Sequence, residues 1–362
     1  MDPLTHTLAG ASLGQTRFGH VPLGTTTLII GANLPDIDAV SYLLDRDFAL
    51  LFRRGWTHGV LAMALLPPLL AGVMKWIEHV RRGRRPTETP VTFGRFLLLS
   101  YVAVLSHPAL DWLNTYGVRL LMPFDNRWFY GDTLFIIDPW IWLFLATIVA
   151  LPHSESRYQV IGWTGLAAFG TVLINRVESV PVSLLILWHL GLAIIIGLRA
   201  WGYLQSRPRQ VCTIGLVLCG LYIMAMLGSS RLVRLEAMTW AHDRGLEPNQ
   251  IMIGTEPVDP FKRDVLIADD RFYYELTFDW FASKRVRSKG SRTAIGNDTP
   301  VATAALTAPE LQGFAAWTRF PKFIVEPAND GYRVKITDMR FGGGVIELDR
   351  ELRPKHTRTL VR

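Results

Sequence analysis

The chain has 362 residues, of which 49% are hydrophobic and 19% are charged. The charged fraction is below the roughly 25% that is typical of soluble domains, so the composition argues against a wholly soluble protein. The net charge is +7, but the basic residues are scattered or flank apolar runs, which argues against a nucleic-acid-binding protein.

The first apolar stretch predicts two short helices rather than one ordinary membrane span. Residues 4–15 and 21–35 are each shorter than the about 20 residues that a spanning helix needs, and the polar segment 17–20 separates them. We interpret them as a re-entrant or interfacial helix pair, and a single interrupted span is the alternative. Only the pair would return the chain to the face that carries His6.

Six later apolar segments are predicted to cross a membrane as helices. They are residues 56–77, 94–115, 134–151, 158–175, 180–200 and 211–228. The basic loop 81–85 and a second basic group, Arg199, Arg207 and Arg209, fall on one face when the crossings are counted. Because basic loops favour the cytoplasm, this face is predicted to be cytoplasmic in a multi-pass protein of the cell's inner membrane.

Residues 230–362 resemble an ordinary soluble sequence and predict a small α+β domain that is mostly β. A helical stretch at 230–244 precedes alternating runs, at 250–254, 264–267, 272–278, 322–326, 332–336 and 345–348. Segments 329–331 and 342–344 predict turns. The predicted fold is therefore mainly α, with a polytopic transmembrane helical bundle at 1–229 and an extracytoplasmic domain at 230–362.

The strongest local signal for chemistry is the pair His107 and Asp111 near the end of a predicted span. Positions i and i+4 share one face of a helix, so both side chains could reach one metal ion. A buried hydrogen bond between them is the alternative. Asp36 and Asp38 follow an apolar segment, and two such close carboxylates repel each other unless a cation lies between them. Solvated acids in an interfacial turn are the alternative.

Four further residues are weaker candidates on the same predicted face. His58 begins a span, and an interfacial histidine is its alternative role. Asp138 precedes Pro139, so it could cap a helix as well as bind a metal, and Asp132 is a similar, weaker case. His6 joins the group only if the first apolar stretch folds back.

Four motifs in this order resemble the predicted membrane-bound metal-dependent hydrolases of the YdjM type. They are THTLAG at 5–10, LPDID at 34–38, RGWTHG at 54–59 and SH…DWLNTYG at 106–117, and the resemblance covers about residues 1–145. It implies a bacterial membrane protein whose metal ligands come from His6, Asp36, Asp38, His58, His107 and Asp111, with Asp132 and Asp138 in addition. The family's distant similarity to zinc-dependent phospholipases C and single-strand nucleases implies phosphoester hydrolysis.

The combined prediction is a membrane-embedded metal-dependent hydrolase that acts at the outer bilayer boundary on a lipid or lipid-linked phosphoester, with lipid amide or ester cleavage as the next choice. Mixed His and Asp ligands favour Zn²⁺ over Mn²⁺ or Fe²⁺, as one or two ions. Asp38 or Asp138 is predicted to accept the proton of the attacking water. Two alternatives stay open: a non-enzymatic membrane protein with a structural metal site or an ion pathway, and a receptor or assembly protein whose tail binds a partner.

Overall fold

The computed structural model describes residues 1–83, 89–178, 180–202 and 207–358. In this part of the chain the α-helices are α1 (Pro3–Gly14), α2 (Gly24–Asn33), α3 (Arg46–Phe52), α4 (Val60–Arg82), α5 (Phe93–Trp112), α6 (Pro139–Ala150), α7 (Arg157–Asn175), α8 (Val182–Trp201), α9 (Pro208–His242), α10 (Pro300–Leu306) and α11 (Gln312–Trp317). The β-strands are β1 (Gln250–Thr255), β2 (Lys262–Ala268), β3 (Phe272–Asp279), β4 (Val286–Ser288), β5 (Thr293–Ala294), β6 (Pro321–Ala328), β7 (Gly331–Asp338), β8 (Gly343–Leu348) and β9 (Pro354–Arg358). A 3₁₀ segment, Leu34–Leu43, follows α2 directly.

The N-terminal apolar stretch forms an antiparallel hairpin of the two short helices α1 and α2. Small residues let them approach closely: a Cβ on Gly10 would lie 2.6 Å from the Leu28 carbonyl oxygen, and one on Gly14 would lie 2.6 Å from the Thr25 side chain. The side chain of Asp2 caps α1 by accepting a hydrogen bond from the Thr5 amide. The hairpin therefore returns the chain to the end of α1 that carries His6.

Among the described helices, four are long and apolar enough to cross a membrane, namely α4, α5, α8 and α9. The prediction of six later spans is correct for these four. The segment 158–175 forms α7, which has 19 residues but falls short of the other four in apolarity. In the basic loop 81–85, residues 84 and 85 lie outside the described residues.

The predicted span 134–151 yields only the 12-residue helix α6. The chain before α6 is irregular, and its amides are used elsewhere: the Gly131 amide donates to the Trp112 carbonyl, and the Thr133 and Leu134 amides donate to the Leu113 carbonyl. These bonds satisfy carbonyls at the end of α5, which have no partner within the helix. The apolar run is therefore divided between a buried connection and a short helix.

The C-terminal part contains two antiparallel sheets in the described residues. In the first, the strand order is β1-β2-β3-β4 and β5 also pairs with β3; in the second, it is β6-β7-β8-β9. All six strands predicted from the sequence are present, and the predicted turn at 329–331 closes the β6–β7 hairpin. The predicted domain boundary at 229/230 falls inside α9, which continues to His242 and joins the two parts.

The β-rich part packs against the connections at the end of the bundle where α5 ends. Leu50 of α3 belongs to the same hydrophobic core as Phe314 and Trp317 of α11. The Asp47 carboxylate accepts hydrogen bonds from the Gly313 and Phe314 amides, at 2.7 and 2.8 Å. This packing places the β-rich part beside the residues that the sequence predicted as metal ligands.

Candidate metal centre

Five of the predicted ligand side chains meet in one place. His6 comes from α1, Asp36 from the 3₁₀ segment, His58 from the residues before α4, and His107 and Asp111 from the last turns of α5. The three histidines and Asp111 are fully buried, whereas the Asp36 side chain is 17% exposed. Residues separated by up to about a hundred positions in the sequence thus form one polar cluster at the end of the bundle.

Four ligand atoms in this cluster lie within 4.8 Å of one another: one atom each from Asp36, His58, His107 and Asp111. We call these four residues the metal tetrad. The two histidine Nε2 atoms are 3.0 Å apart, and Asp111 Oδ2 lies 3.3 Å from the Nε2 of His58 and 3.5 Å from that of His107. Asp36 Oδ1 lies 3.6 Å from His107 Nε2 and 4.0 Å from His58 Nε2.

Three of these separations, at 3.3, 3.5 and 3.6 Å, match a tetrahedral metal site, and the two at 3.0 and 4.0 Å lie outside the range of such a site. Zinc holds imidazole nitrogens and carboxylate oxygens at about 2.0–2.2 Å, which places neighbouring ligand atoms about 3.3–3.6 Å apart. Asp111 Oδ2 is buried and accepts no hydrogen bond from the described residues, as expected for an atom that binds an ion. The donor set of two imidazoles and two carboxylates suits the same metal.

The hydrogen bonds on the far side of each imidazole leave its Nε2 free to bind a cation. His107 Nδ1 lies 2.6 Å from the Ala32 carbonyl oxygen, which can only accept, so Nδ1 carries a proton. His58 Nδ1 lies 3.4 Å from Asp38 Oδ2 and 2.9 Å from Thr57 Oγ1. Two neutral imidazoles arranged in this way direct lone pairs at each other, and a cation between them removes the repulsion.

His6 is adjacent to the metal tetrad but is not part of it. Its ring stacks on that of His107, with centroids 3.7 Å apart, and its Nε2 lies 3.3 Å from Asp111 Oδ1. Both ring nitrogens are buried, and neither forms a hydrogen bond within the part of the chain that the structure describes. The predicted placement of His6 on this face is therefore correct, and the ring is available as a further ligand.

Asp38 lies behind His58 rather than among the tetrad. Its carboxylate accepts hydrogen bonds from the Arg54 amide at 2.9 Å, the Thr57 hydroxyl at 2.8 Å and the Arg53 guanidinium at 3.3 Å. Histidine ligands of metals commonly donate their second N–H to a carboxylate of this kind. The structure therefore gives Asp38 the position of an orienting group for His58, and its predicted role as a base stays a prediction.

Burial by itself would raise the pKa of Asp36, but when Nε2 of His107 carries a proton its hydrogen bond and charge outweigh burial and lower the pKa to about 2. A cation at the tetrad would take the place of that proton and would likewise favour the ionised carboxylate that a metal ligand must be.

The structure does not bring Asp132 or Asp138 into the cluster. Asp132 forms a bidentate ion pair with Arg319, whose two Nη atoms lie 2.7 and 2.9 Å from the carboxylate oxygens. Asp138 caps α6 by accepting from the Trp140 and Ile141 amides and also accepts from the Tyr222 hydroxyl. Asp138 thus follows the capping alternative, and Asp132 is neutralised by an arginine that sequence reasoning had not connected to it.

Arg54, the first residue of the third motif, contacts the site from its buried side. Its guanidinium lies 3.1 Å from Asp111 Oδ1 and donates to the Asn114 side-chain oxygen at 3.2 Å. The buried amino group of Met1 also contacts Asp111 Oδ1. Arg54 adopts a left-handed backbone with φ of 51°, which aims its amide at Asp38 and its side chain at Asp111. Nothing in the sequence indicated a role for Asn114 beyond its position in the fourth motif.

Comparison with known proteins gives one family and one relative. The family model described as YdjM inner membrane protein matches residues 1–182, which is half of the chain. A stretch of 163 residues is 24% identical to the uncharacterized protein YfhP of Bacillus subtilis (strain 168) and covers 42% of this chain and 47% of YfhP. The chain therefore spans about half the length of this curated relative, and no solved structure matches it.

Proposed function

This chain belongs to the YdjM inner membrane protein family, and we propose that it is a membrane-embedded metal-dependent hydrolase of a lipid or lipid-linked phosphoester. The observation that carries the proposal is the metal tetrad, whose four ligand atoms lie within 4.8 Å of one another. A zinc ion bound there would activate water and polarise the scissile bond. Mn²⁺ and Fe²⁺ are the alternatives for the same ligands.

The charges beside the tetrad support an anionic substrate group. The Arg53 guanidinium lies 3.6 Å from Asp36 Oδ1 and its side chain is 19% exposed, so it borders the accessible side of the site. The Arg54 guanidinium contacts Asp111 from the buried side. Because guanidinium groups match phosphate oxygens in geometry, we assign Arg53 to the substrate phosphate and Arg54 to holding Asp111 in place.

The apolar surface around Asp36 supports a substrate that comes from the membrane. Asp36 is the most exposed of the tetrad, and its neighbours on the 3₁₀ segment and after it expose large apolar side chains. Ile37, Val40, Leu43 and Leu44 are 58%, 59%, 84% and 75% exposed. Such a patch is unfavourable in water but is stable against lipid, so the accessible side of the site faces the bilayer in our proposal.

The proposal is tested by phospholipid hydrolysis with zinc-loaded protein in phospholipid vesicles. We expect release of the labelled headgroup by the wild type, a loss of at least about 100-fold in His58→Ala, and wild-type rates in Asp138→Asn, which lies outside the tetrad. Equal rates in the wild type and His58→Ala would refute the hydrolase.

A structural metal site is the second candidate, because three of the four tetrad residues are fully buried. In that case the wild type binds metal, and His58→Ala lowers the thermal unfolding midpoint. No labelled headgroup is released by either protein.

A further inference from the structure

A second candidate site lies away from the metal tetrad, between the bundle and the first sheet. It is a cavity of about 730 Å³ whose walls come from α6, α8, α9 and two loops of the sheet. Its lining is almost wholly apolar and includes Trp140, Tyr222, Met226, Leu232, Phe261 and Trp280. The volume falls in the range of about 300–1,000 Å³ that is typical of small-molecule sites.

The cavity lies at the level where α9 leaves the membrane. The residues that α9 contributes run from Tyr222 to Leu232, across the change from its apolar part to the first arginines, Arg231 and Arg234. Leu187 of the spanning helix α8 borders the same space and is 46% exposed. One side of the cavity therefore faces the acyl chains of the leaflet next to the β-rich part.

The loop between β3 and β4 has the composition of a membrane-contacting loop. Trp280 donates a hydrogen bond from Nε1 to the Ser229 hydroxyl of α9 at 3.1 Å, which fixes the loop against the spanning helix. Phe281 is 79% exposed at the cavity rim. Aromatic residues at this level are typical of the membrane–water interface.

Two basic residues lie on the same loop, three and four positions after Phe281. Lys284 and Arg285 are exposed, and the Arg285 guanidinium lies 5.3 Å from the Trp280 ring while it also donates to Glu236 at 3.0 Å. Lysine and arginine near a bilayer surface attract anionic headgroups. An apolar cavity whose bordering loop carries two basic side chains therefore matches both parts of an anionic phospholipid.

We propose that this cavity binds one anionic phospholipid, with an acyl chain against α9 and the headgroup at Lys284 and Arg285. Water is poorly stabilised in an apolar cavity, whereas a bound acyl chain buries both its own apolar surface and that of the cavity wall. The proposal does not depend on the metal tetrad, which uses other residues.

Native mass spectrometry tests the proposal on protein released from nanodiscs that contain equal parts of phosphatidylglycerol and phosphatidylcholine. Gly228 lines the cavity, and a Cβ on it would meet no atom within 4 Å, so Gly228→Phe fills the space without a backbone clash. Gly220 is equally unobstructed on the same helix but does not line the cavity, so Gly220→Phe is the matched control. Ala225→Phe fills the cavity from a second position.

We expect the wild type and Gly220→Phe to retain phosphatidylglycerol. In both filling variants the lipid-bound fraction of the protein should fall at least about 10-fold, while the thermal unfolding midpoint stays unchanged. The double variant Lys284→Ala/Arg285→Ala should keep a lipid but lose the preference for phosphatidylglycerol. Retention at the wild-type level in both filling variants would overturn the acyl-chain site. If the wild type shows no preference for phosphatidylglycerol over phosphatidylcholine, the anionic-lipid assignment is overturned. This comparison requires no variant.

Discussion

At the scale of single residues, each imidazole of the metal tetrad is oriented by the contact at its other ring nitrogen, Nδ1. His107 presents Nε2 to the tetrad because the Ala32 carbonyl holds Nδ1, and His58 presents Nε2 because Asp38 and Thr57 lie at its Nδ1. Without these contacts either imidazole could rotate or change tautomer. The carboxylate of Asp38 is therefore expected to strengthen metal binding although it lies outside the tetrad.

The change Asp38→Asn tests this indirect role. It keeps the shape of the side chain but removes the charge that orients and polarises His58, so we expect metal affinity to fall by about 10- to 100-fold. Zinc competition with a chromophoric chelator measures the affinity. The control is Asp269→Asn, since the Asp269 carboxylate, like that of Asp38, accepts hydrogen bonds from backbone amide and hydroxyl groups but lies in the β-rich part. Unchanged zinc affinity in Asp38→Asn would exclude the orienting role.

The eight candidate ligands predicted from the sequence include all four tetrad residues, because each of these belongs to a short local pattern next to an apolar run. His107 and Asp111 are four residues apart on one helix, and Asp36 follows a proline at the end of an apolar segment. Asp132 shows a similar pattern, but its partner Arg319 is 187 residues away and belongs to another part of the fold. Sequence alone cannot show such a neutralising partner, so it placed Asp132 among the candidate ligands, whereas the structure places it outside the cluster.

At the scale of elements, the hairpin α1–α2 positions the N-terminal side of the site. Thr7 of α1 donates a hydrogen bond to Asn33 at the end of α2, and His107 Nδ1 reaches the Ala32 carbonyl of the same turn. The close approach of the two helices depends on Gly10, whose added Cβ would lie 2.6 Å from the Leu28 carbonyl oxygen and 2.8 Å from the Ile29 Cα. Both obstructing atoms are backbone atoms and cannot rotate away.

The change Gly10→Ala should therefore open the hairpin. Overpacking of this kind costs about 1–3 kcal/mol, so we expect a lower midpoint of thermal unfolding in detergent. Gly72→Ala on α4 is the control, because a Cβ there meets no atom within 4 Å and alanine favours a helix. The control should unfold at the wild-type temperature or above, and an unchanged midpoint in Gly10→Ala would show that the hairpin is not tightly packed.

Helices and strands with a clear pattern of apolar residues could be predicted from the sequence. Elements that form only through hydrogen bonds to another segment of the chain could not. The six predicted strands are apolar or alternating runs of four to seven residues, whereas β4 and β5 have three and two residues and form by pairing with β3. The segment before α6 is apolar like a span, but its amides bind the end of α5 instead. Hydropathy counts apolar residues and does not register such bonds.

At the scale of the whole molecule, the metal tetrad and the basic ends of the spanning helices lie at opposite ends of the bundle. His58 precedes α4, and Arg81 and Arg82 end it; α5 returns the chain to His107 and Asp111. Helix α9 begins next to Arg209 and leads into the first sheet. Since basic ends favour the cytoplasm, we expect the tetrad and the β-rich part on the extracytoplasmic face.

Cysteine labelling tests this orientation in intact spheroplasts. Both native cysteines, Cys212 and Cys219, are buried, so an impermeant maleimide should report introduced cysteines. We expect Ser283→Cys, on the exposed β3–β4 loop, to react in intact spheroplasts, and Arg81→Cys, at the exposed end of α4, to react only after permeabilisation. The reverse pattern would place the tetrad on the cytoplasmic face.

The most direct test of the metal centre is the metal content of the protein purified in detergent, measured by inductively coupled plasma mass spectrometry. We predict about one bound transition-metal ion per wild-type chain, because the described residues contain one such group of four ligand atoms. His107→Ala and Asp111→Ala should lose it, whereas Asp132→Asn, outside the tetrad, should retain it. Equal metal content in the wild type and both tetrad variants, or no metal in any of them, would contradict the account.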